Sequence, residues 1–200
     1  MSLACDLVLA TQNPGKCAEL AELLVPHGLR LASLAELPGL VLPEEGDDYA
    51  KNAEAKALSV ALASGRPALG DDSGIEVAAL GGAPGPRSAR YGGPGLDDAG
   101  RTARLLAALA DTPEPERGAR FVCVAALATP DGAVSRAFGE CRGRILRAPR
   151  GSGGFGYDPV FQPEGHAGSL AELPAALKNT LSHRARALAL LAPALRRLRG

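Results

Sequence analysis

The stretch that most restricts the fold is Thr11-Gln12-Asn13-Pro14-Gly15-Lys16, set between a short apolar run, Leu7 to Ala10, and a helix-like segment, Cys17 to Leu24. A strand that ends in a glycine-containing loop and feeds a helix aims backbone N–H groups outward, where they suit a phosphate. Lys16 adds a point charge at the mouth of such a cradle. The spacing approaches the phosphate-loop pattern Gly-x-x-x-x-Gly-Lys-Ser/Thr, but Ala10 stands at the first glycine and Cys17 at the hydroxyl that would hold magnesium. The segment reads as a phosphate loop without its own metal ligand; the competing reading is a plain strand-turn-helix connection with a surface lysine. After a stop at Pro26 and Gly28, Leu29 to Ala32 supplies a second strand. Strand, loop, helix, strand predicts an α/β sheet with helices packed against it.

Length and charge narrow the class. A chain of 200 residues suits a single domain, residues 1–200, with two lobes. Basic and acidic residues balance at 22 each, and only a short arginine cluster at the C-terminus breaks the mixture, so charge supports neither a nucleic-acid nor a membrane partner. Cys5, Cys17, Cys123 and Cys141 form no Cys-x-x-Cys pair and read as buried thiols of a reduced compartment. The N-terminus has no basic start and carries Asp6 within its apolar run, which argues against a signal peptide, and no run reaches membrane-spanning length. The expected location is the cytoplasm. Only Lys16, Lys51, Lys56 and Lys178 are lysines, the other basic residues being arginines. Where arginine is the rule, a lysine marks a place that needs a compact ammonium. Lys51 and Lys56 read as solvated helix positions, Lys16 and Lys178 as site candidates.

Carboxylates appear twice in chemically suggestive settings. The proline-bearing loop from Glu36 to Asp48 contains Glu44 and Glu45 just before Gly46, and Asp47 or Asp48 caps a helix that runs to about Ser64 and stops at Gly65. Then Pro67 to Val77 reads as a short strand ending in Asp71-Asp72, a turn at Ser73-Gly74 and a second short strand. Strand alternation sends Asp71 and Asp72 to opposite faces. A carboxylate at a strand end, followed by Ser73 and glycine, can hold magnesium or a water beside a phosphate; alternatively it bonds its own turn.

The remaining chain offers a long loop at Gly81–Gly93 with Arg87 and Arg90, a helix from Asp97 to Ala110, and a hairpin of Ala119–Ala128 and Ala133–Cys141 around Pro130-Asp131-Gly132. Phe155 and Tyr157 lie among glycines, where they either offer a stacking face to a base or plug a sheet end. Lys178 and Ser182-His183-Arg184 precede an amphipathic helix that Pro193 should kink or interrupt.

In this order the motifs Ala10 to Lys16, Asp71-Asp72-Ser73-Gly74, Gly81 to Gly85 with Ser88 to Tyr91, Gly153 to Pro159, and Ser182-His183-Arg184 resemble the inosine/xanthosine triphosphate pyrophosphatase family over nearly the whole chain. The resemblance implies an elongated α/β fold with a central mixed sheet flanked by helices, two lobes around a deep nucleotide cleft, and a homodimer. It implies magnesium-dependent hydrolysis of inosine, deoxyinosine and xanthosine triphosphates to the monophosphate and pyrophosphate. By position, Thr11, Gln12, Asn13, Pro14, Gly15 and Lys16 hold the triphosphate, Asp72 is the proton acceptor and a metal ligand, and Ser73 contacts substrate. Glu44 falls at the second metal carboxylate, with Glu45 the alternative, while Phe155, Gly156, Tyr157, Asp158, Lys178, His183 and Arg184 complete the nucleotide site.

The chemistry is coherent with that assignment. Attack on the α-phosphorus needs a positioned water, and departing pyrophosphate needs its charge neutralised. With Cys17 in place of the loop hydroxyl, the metal must be held by carboxylates from elsewhere. A pyrophosphatase acting on other modified nucleotides and a nucleotide-binding module without hydrolysis are the alternatives; Ala10 and Cys17 disfavour a phosphate-loop kinase.

Overall fold

The computed structural model describes residues 6–198; Cys5 and Arg199 lie outside the described residues. The chain runs β1 (Asp6–Leu9), α1 (Pro14–Leu24), β2 (Arg30–Ala32), α2 (Tyr49–Ser64), β3 (Ala68–Val77), α3 (Asp98–Ala108), β4 (Gly118–Ala128), β5 (Val134–Ile145), β6 (Phe161–Pro163), α4 (Ala175–Leu181) and α5 (His183–Arg197). The six strands form one open sheet in the order β2-β1-β3-β4-β5-β6. It is mixed, as expected: β1 is parallel to β2 and β3, and β5 is antiparallel to β6. Among the described residues no helix is long and apolar enough to cross a membrane.

The chain groups into two compact units, one holding residues up to Asp72, Cys123–Gly139 and those from Arg184 on, the other Ser73–Val122 and Glu140–His183. In the first unit, strand alternation divides the core. Leu7, Leu9 and Leu69 pack with Leu20 and Leu24 of α1 and with Leu188, Leu191 and Leu195 of α5. Val8, Ala10 and Ala68 pack instead with Ala53, Ala57, Val60 and Ala61 of α2. The crossover from β1 to β2 and the return to β3 run in opposite directions along the sheet, and right-handed connections then put α1 and α2 on opposite faces. β1 is therefore a topological switch point, and the carboxyl ends of β1 and β3 border the gap where ligands of such sheets bind.

Local sequence explains the helices. Asn13 caps α1, with Pro14 in its first turn, and Asp48 caps α2 by accepting from the N–H groups of Ala50 and Lys51. Gly65 ends α2 in the left-handed conformation. α2 approaches β3 so closely that a side chain at Gly70 would bring a Cβ within 2.6 Å of the Ala53 carbonyl oxygen and 2.9 Å of the Ala57 nitrogen. Only glycine permits that approach.

Three local expectations change. β3 is a single strand that passes unbroken through Asp71-Asp72-Ser73-Gly74. The buried acids find side-chain partners, so no turn is needed to satisfy them. α5 continues through Pro193, which lies on its exposed side, where the Ala189 carbonyl deprived of its helical partner can turn to water. The Gly81–Gly93 segment contains a 3-10 turn, Gly85–Arg90, locked by Ser88, whose hydroxyl donates to the Gly85 carbonyl (2.6 Å) and accepts from the Ile75 N–H (2.9 Å).

The second unit gathers Ile75, Val77, Leu105, Leu109, Phe121, Ile145, Tyr157 and Phe161 into one core. Beside it Arg117 is 1% exposed, and its guanidinium donates to the carbonyls of Leu109 (2.6 Å), Ile145 (2.9 Å) and Leu146 (2.9 Å). It thereby closes the end of α3 onto the end of β5. Replacing it by methionine keeps the bulk but leaves those buried acceptors without partners. Arg117→Met should cost about 3 kcal/mol and lower Tm by about 6–12 °C in calorimetry.

Tyr157 is 5% exposed and its hydroxyl donates to the Ser88 carbonyl at 2.9 Å. Burial pushes its pKa above the ordinary value of 10.0, with Arg101 opposing weakly. The unfolded chain therefore ionises first as pH rises, and the stability carried by the neutral phenol is whole below pH 10 and declines above it. Tyr157→Phe should lose about 1 kcal/mol at pH 9 yet show a smaller fall in Tm between pH 9 and pH 11 than wild type does.

Candidate functional site

At the switch point the first unit brings together the end of β1, the start of α1, the middle of β3 and the buried side of α2. Thr11 is buried, and its hydroxyl accepts from the Asn13 N–H at 3.2 Å. The Asn13 side chain accepts from the Lys16 N–H at 3.0 Å. The phosphate-like loop is consequently shorter than its sequence suggests: Pro14, Gly15 and Lys16 already form the first turn of α1, and Gln12 and Asn13 are exposed ahead of it. The Cys17 thiol faces the Thr11 carbonyl, 3.7 Å away. It takes the place of a hydroxyl with a weak hydrogen bond inside the turn.

Asp71 and Asp72 are both buried and do engage different partners, as strand alternation requires. One oxygen of Asp71 lies 3.1 Å from Lys16 Nζ and 3.0 Å from Arg184 Nη2, and Arg184 Nη1 reaches Glu19 at 2.7 Å. Burial pushes the Asp71 pKa upward, but Lys16, Arg184 and Lys56 override it and hold the carboxyl far below the usual range. Its second oxygen, Oδ1, is buried with no hydrogen-bond partner among the described residues.

Asp72 faces α2. Its Oδ2 accepts from Asn52 Nδ2 at 2.7 Å, and Oδ1 lies 3.7 Å from Lys56 Nζ. Burial raises the Asp72 pKa, with Lys56 and Asn52 pulling the other way. Lys56 in turn donates to Glu45 at 2.6 Å. Burial disfavours its charge, but Asp71, Asp72 and Glu45 more than compensate and raise its pKa. Lys51 is exposed as expected, whereas Lys56 is only 4% exposed and belongs to the site. Sequence carried a signal for this. Asn52 and Lys56 are four residues apart and adjoin Ala53 and Ala57 on the stripe that faces β3.

Glu44 is exposed and Glu45 half-buried. Among the described residues no three His, Cys, Asp or Glu side chains converge as a metal cluster. The nearby donors, Asp72 with Glu44 or Glu45, offer carboxylate oxygen only. That set fits a hard cation such as magnesium, which takes one or two carboxylates and completes its shell with phosphate oxygens and water.

The second unit holds the other predicted residues. Asp158 accepts from the Phe155 N–H at 2.9 Å and from Lys178 Nζ at 2.6 Å, and the lysine ammonium lies 4.9 Å from the centre of the Phe155 ring. A side chain at Gly154, where φ is +70°, would put a Cβ 2.0 Å from the Asp158 carboxylate, so glycine is required for this loop to close. The Gly156 N–H donates to Asp98 at 2.8 Å. Tyr157 points into the core and plugs it, leaving Phe155 as the half-buried aromatic. His183 is buried and stacks on Phe121, centroids 4.8 Å apart and planes 10° from parallel. Ser73 is half-buried. Sequence reasoning missed Glu19, Asn52 and Lys56, each a polar residue on a helix that reads as core or surface until its strand partner is known.

Comparison with known proteins agrees with this architecture. The model of the Ham1 family matches residues 7–194. A protein of Desulforamulus reducens named dITP/XTP pyrophosphatase is 50% identical over 183 residues, 91% of either chain. A Mycobacterium tuberculosis protein of the same name is 50% identical over 202 residues, 99% of this chain and 98% of that one. The solved structure of a HAM1 protein from Coxiella burnetii has a TM-score of 0.85 at 40% identity, covering 96% of this chain and 98% of that one. With the family model matching nearly the whole chain and relatives half identical over nearly their full length, the chain belongs to the Ham1 family.

Proposed function

We propose that this chain is a nucleoside-triphosphate pyrophosphatase that hydrolyses inosine, deoxyinosine and xanthosine triphosphates to the monophosphate and pyrophosphate, with magnesium, and so cleanses the nucleotide pool. Membership of the Ham1 family and relatives named dITP/XTP pyrophosphatase support the activity and the substrate class. The observation that carries it is the pairing at the switch point of a buried carboxylate, Asp72, whose proton affinity burial raises, with a helix start and lysine suited to phosphate. A cytoplasmic homodimer is part of the same reading.

Each residue then has a role. The Thr11 to Lys16 segment receives the triphosphate. Lys16 keeps one donor on Asp71 and has two more for phosphate oxygens. Arg184, with Glu19, anchors Asp71 and through it Lys16. Asp72 orients the attacking water and takes its proton at a carboxylate oxygen, a task suited to a group whose proton affinity burial has raised. Glu44 and Asp72 would hold the magnesium, which when bound supplies charge neutralisation for the phosphates. Glu45 is the poorer candidate because Lys56 already occupies its carboxylate. Ser73, Phe155, Gly156, Asp158, Lys178 and His183 serve the rest of the nucleotide, and Tyr157 supports that segment from the core. Phe155, with Lys178 beside it, offers the base a ring face.

Product analysis with inosine, deoxyinosine, xanthosine, guanosine and adenosine triphosphates tests the class. Pyrophosphate should appear from the first three at least about 100-fold faster than from adenosine triphosphate. Asp72→Asn should lower kcat by about 10²–10⁴ while a non-cleavable analogue still binds. Release of orthophosphate, or near-normal turnover by the variant, defeats the assignment.

The two glutamates separate by metal titration. Glu44→Gln should raise the magnesium concentration for half-maximal activity by about tenfold, and Glu45→Gln by less than about threefold. The opposite order transfers the metal role to Glu45.

A further inference from the structure

Asn52 occupies the first turns of α2 and is 6% exposed, an unfavourable place for a side chain that prefers caps, turns and water. A buried carboxamide must use its donors and its acceptor, and the geometry here uses all three. Oδ1 accepts from the Gly46 N–H at 2.8 Å, and Nδ2 donates to the Gly46 carbonyl at 3.0 Å. The second proton of Nδ2 goes to Asp72 Oδ2 at 2.7 Å. Turning the amide over would set Oδ1 against two acceptors, so its orientation is determined by these partners.

Gly46 immediately follows Glu44 and Glu45. One side chain therefore grips both backbone hydrogen-bonding groups of Gly46, the residue next to the acidic pair, and the carboxylate of β3 at once. Lys56, one helical turn further along α2, makes a parallel link between Glu45 and Asp72, but through a point charge that lies 3.7 Å from Asp72. The amide supplies the directional part of the connection. We propose that Asn52 is a positioning residue which holds the Glu44–Gly46 segment in register with Asp72, so that carboxylates from two separate elements serve one divalent cation. The inference rests on the metal-dependent reading given above. It predicts that loss of Asn52 damages cation binding more than nucleotide binding, because the acceptor and both donors of this amide are taken up by Gly46 and Asp72 and not by the Thr11 to Lys16 segment.

The test uses the full chain and Mn²⁺ as an observable stand-in for magnesium. Mn²⁺ binding is followed by electron paramagnetic resonance in the presence of the α,β-methylene analogue of deoxyinosine triphosphate, corrected for Mn²⁺ held by the analogue alone. Asn52→Ala, in which alanine suits the helix, should bind Mn²⁺ about 10–100-fold more weakly, with the magnesium requirement for activity rising in parallel. Metal-free affinity for the analogue should stay within about threefold, below the 10–100-fold expected of a lost ligand-orienting partner. A lower Tm with unchanged Mn²⁺ affinity would reduce Asn52 to a purely structural residue and overturn the proposal. If the variant does not fold, the wild-type side-chain amide resonance of Asn52 decides: it must shift on adding magnesium and analogue together, and an unmoved resonance overturns the proposal. Failure of the wild type to release pyrophosphate would defeat the hydrolase reading, while the Mn²⁺ measurement would still decide the role of Asn52.

Discussion

Two adjacent carboxylates buried on one strand, Asp71 and Asp72, set the terms for the first unit. Ionised carboxyl groups cannot enter a protein interior without partners, and neighbouring strand residues point to opposite faces. Each face must therefore bring its own cation. α1 and α5 bring Lys16 and Arg184 to Asp71, and α2 brings Lys56 and Asn52 to Asp72. The same alternation sorts the apolar residues of β1 and β3 between those helices, so core packing and charge compensation follow one pattern.

The two acids are consequently unlike despite being neighbours. Asp71, beside two tightly placed cations, is locked in its ionised form and acts as an electrostatic peg for the start of α1. Asp72 is held by a neutral amide and a more distant ammonium, and burial leaves its proton affinity raised. Environments that push two carboxylates apart in this way also divide their work. Asp71 maintains the frame as a fixed charge, and Asp72 keeps a proton affinity above that of an ordinary carboxyl.

A comparable division runs through the glycine-rich segment of the second unit. Tyr157 gives its ring to the core and its hydroxyl to Ser88, while Phe155, two residues earlier, stays half-buried against Lys178. Asp158 fixes this arrangement by bonding both the Phe155 backbone and the lysine. Glycine at 154 is what allows the carboxylate to come that near.

Sequence by itself determined the sheet-and-helix class, a helix cap at Asp47 or Asp48 and its stop at Gly65, the opposed directions of Asp71 and Asp72, and the ordered motifs of the family. These depend on local periodicity and on residue types with strong backbone preferences. Tertiary structure alone decided that β3 runs unbroken, that Lys56 is buried, that Arg184 and Glu19 brace Asp71, and that Tyr157 faces inward while Phe155 does not. Each of these turns on a partner distant along the chain. An asparagine or lysine in an alanine-rich helix looks like surface until close packing against Gly70 puts a carboxylate opposite it, and spacing along one segment carries no record of that encounter.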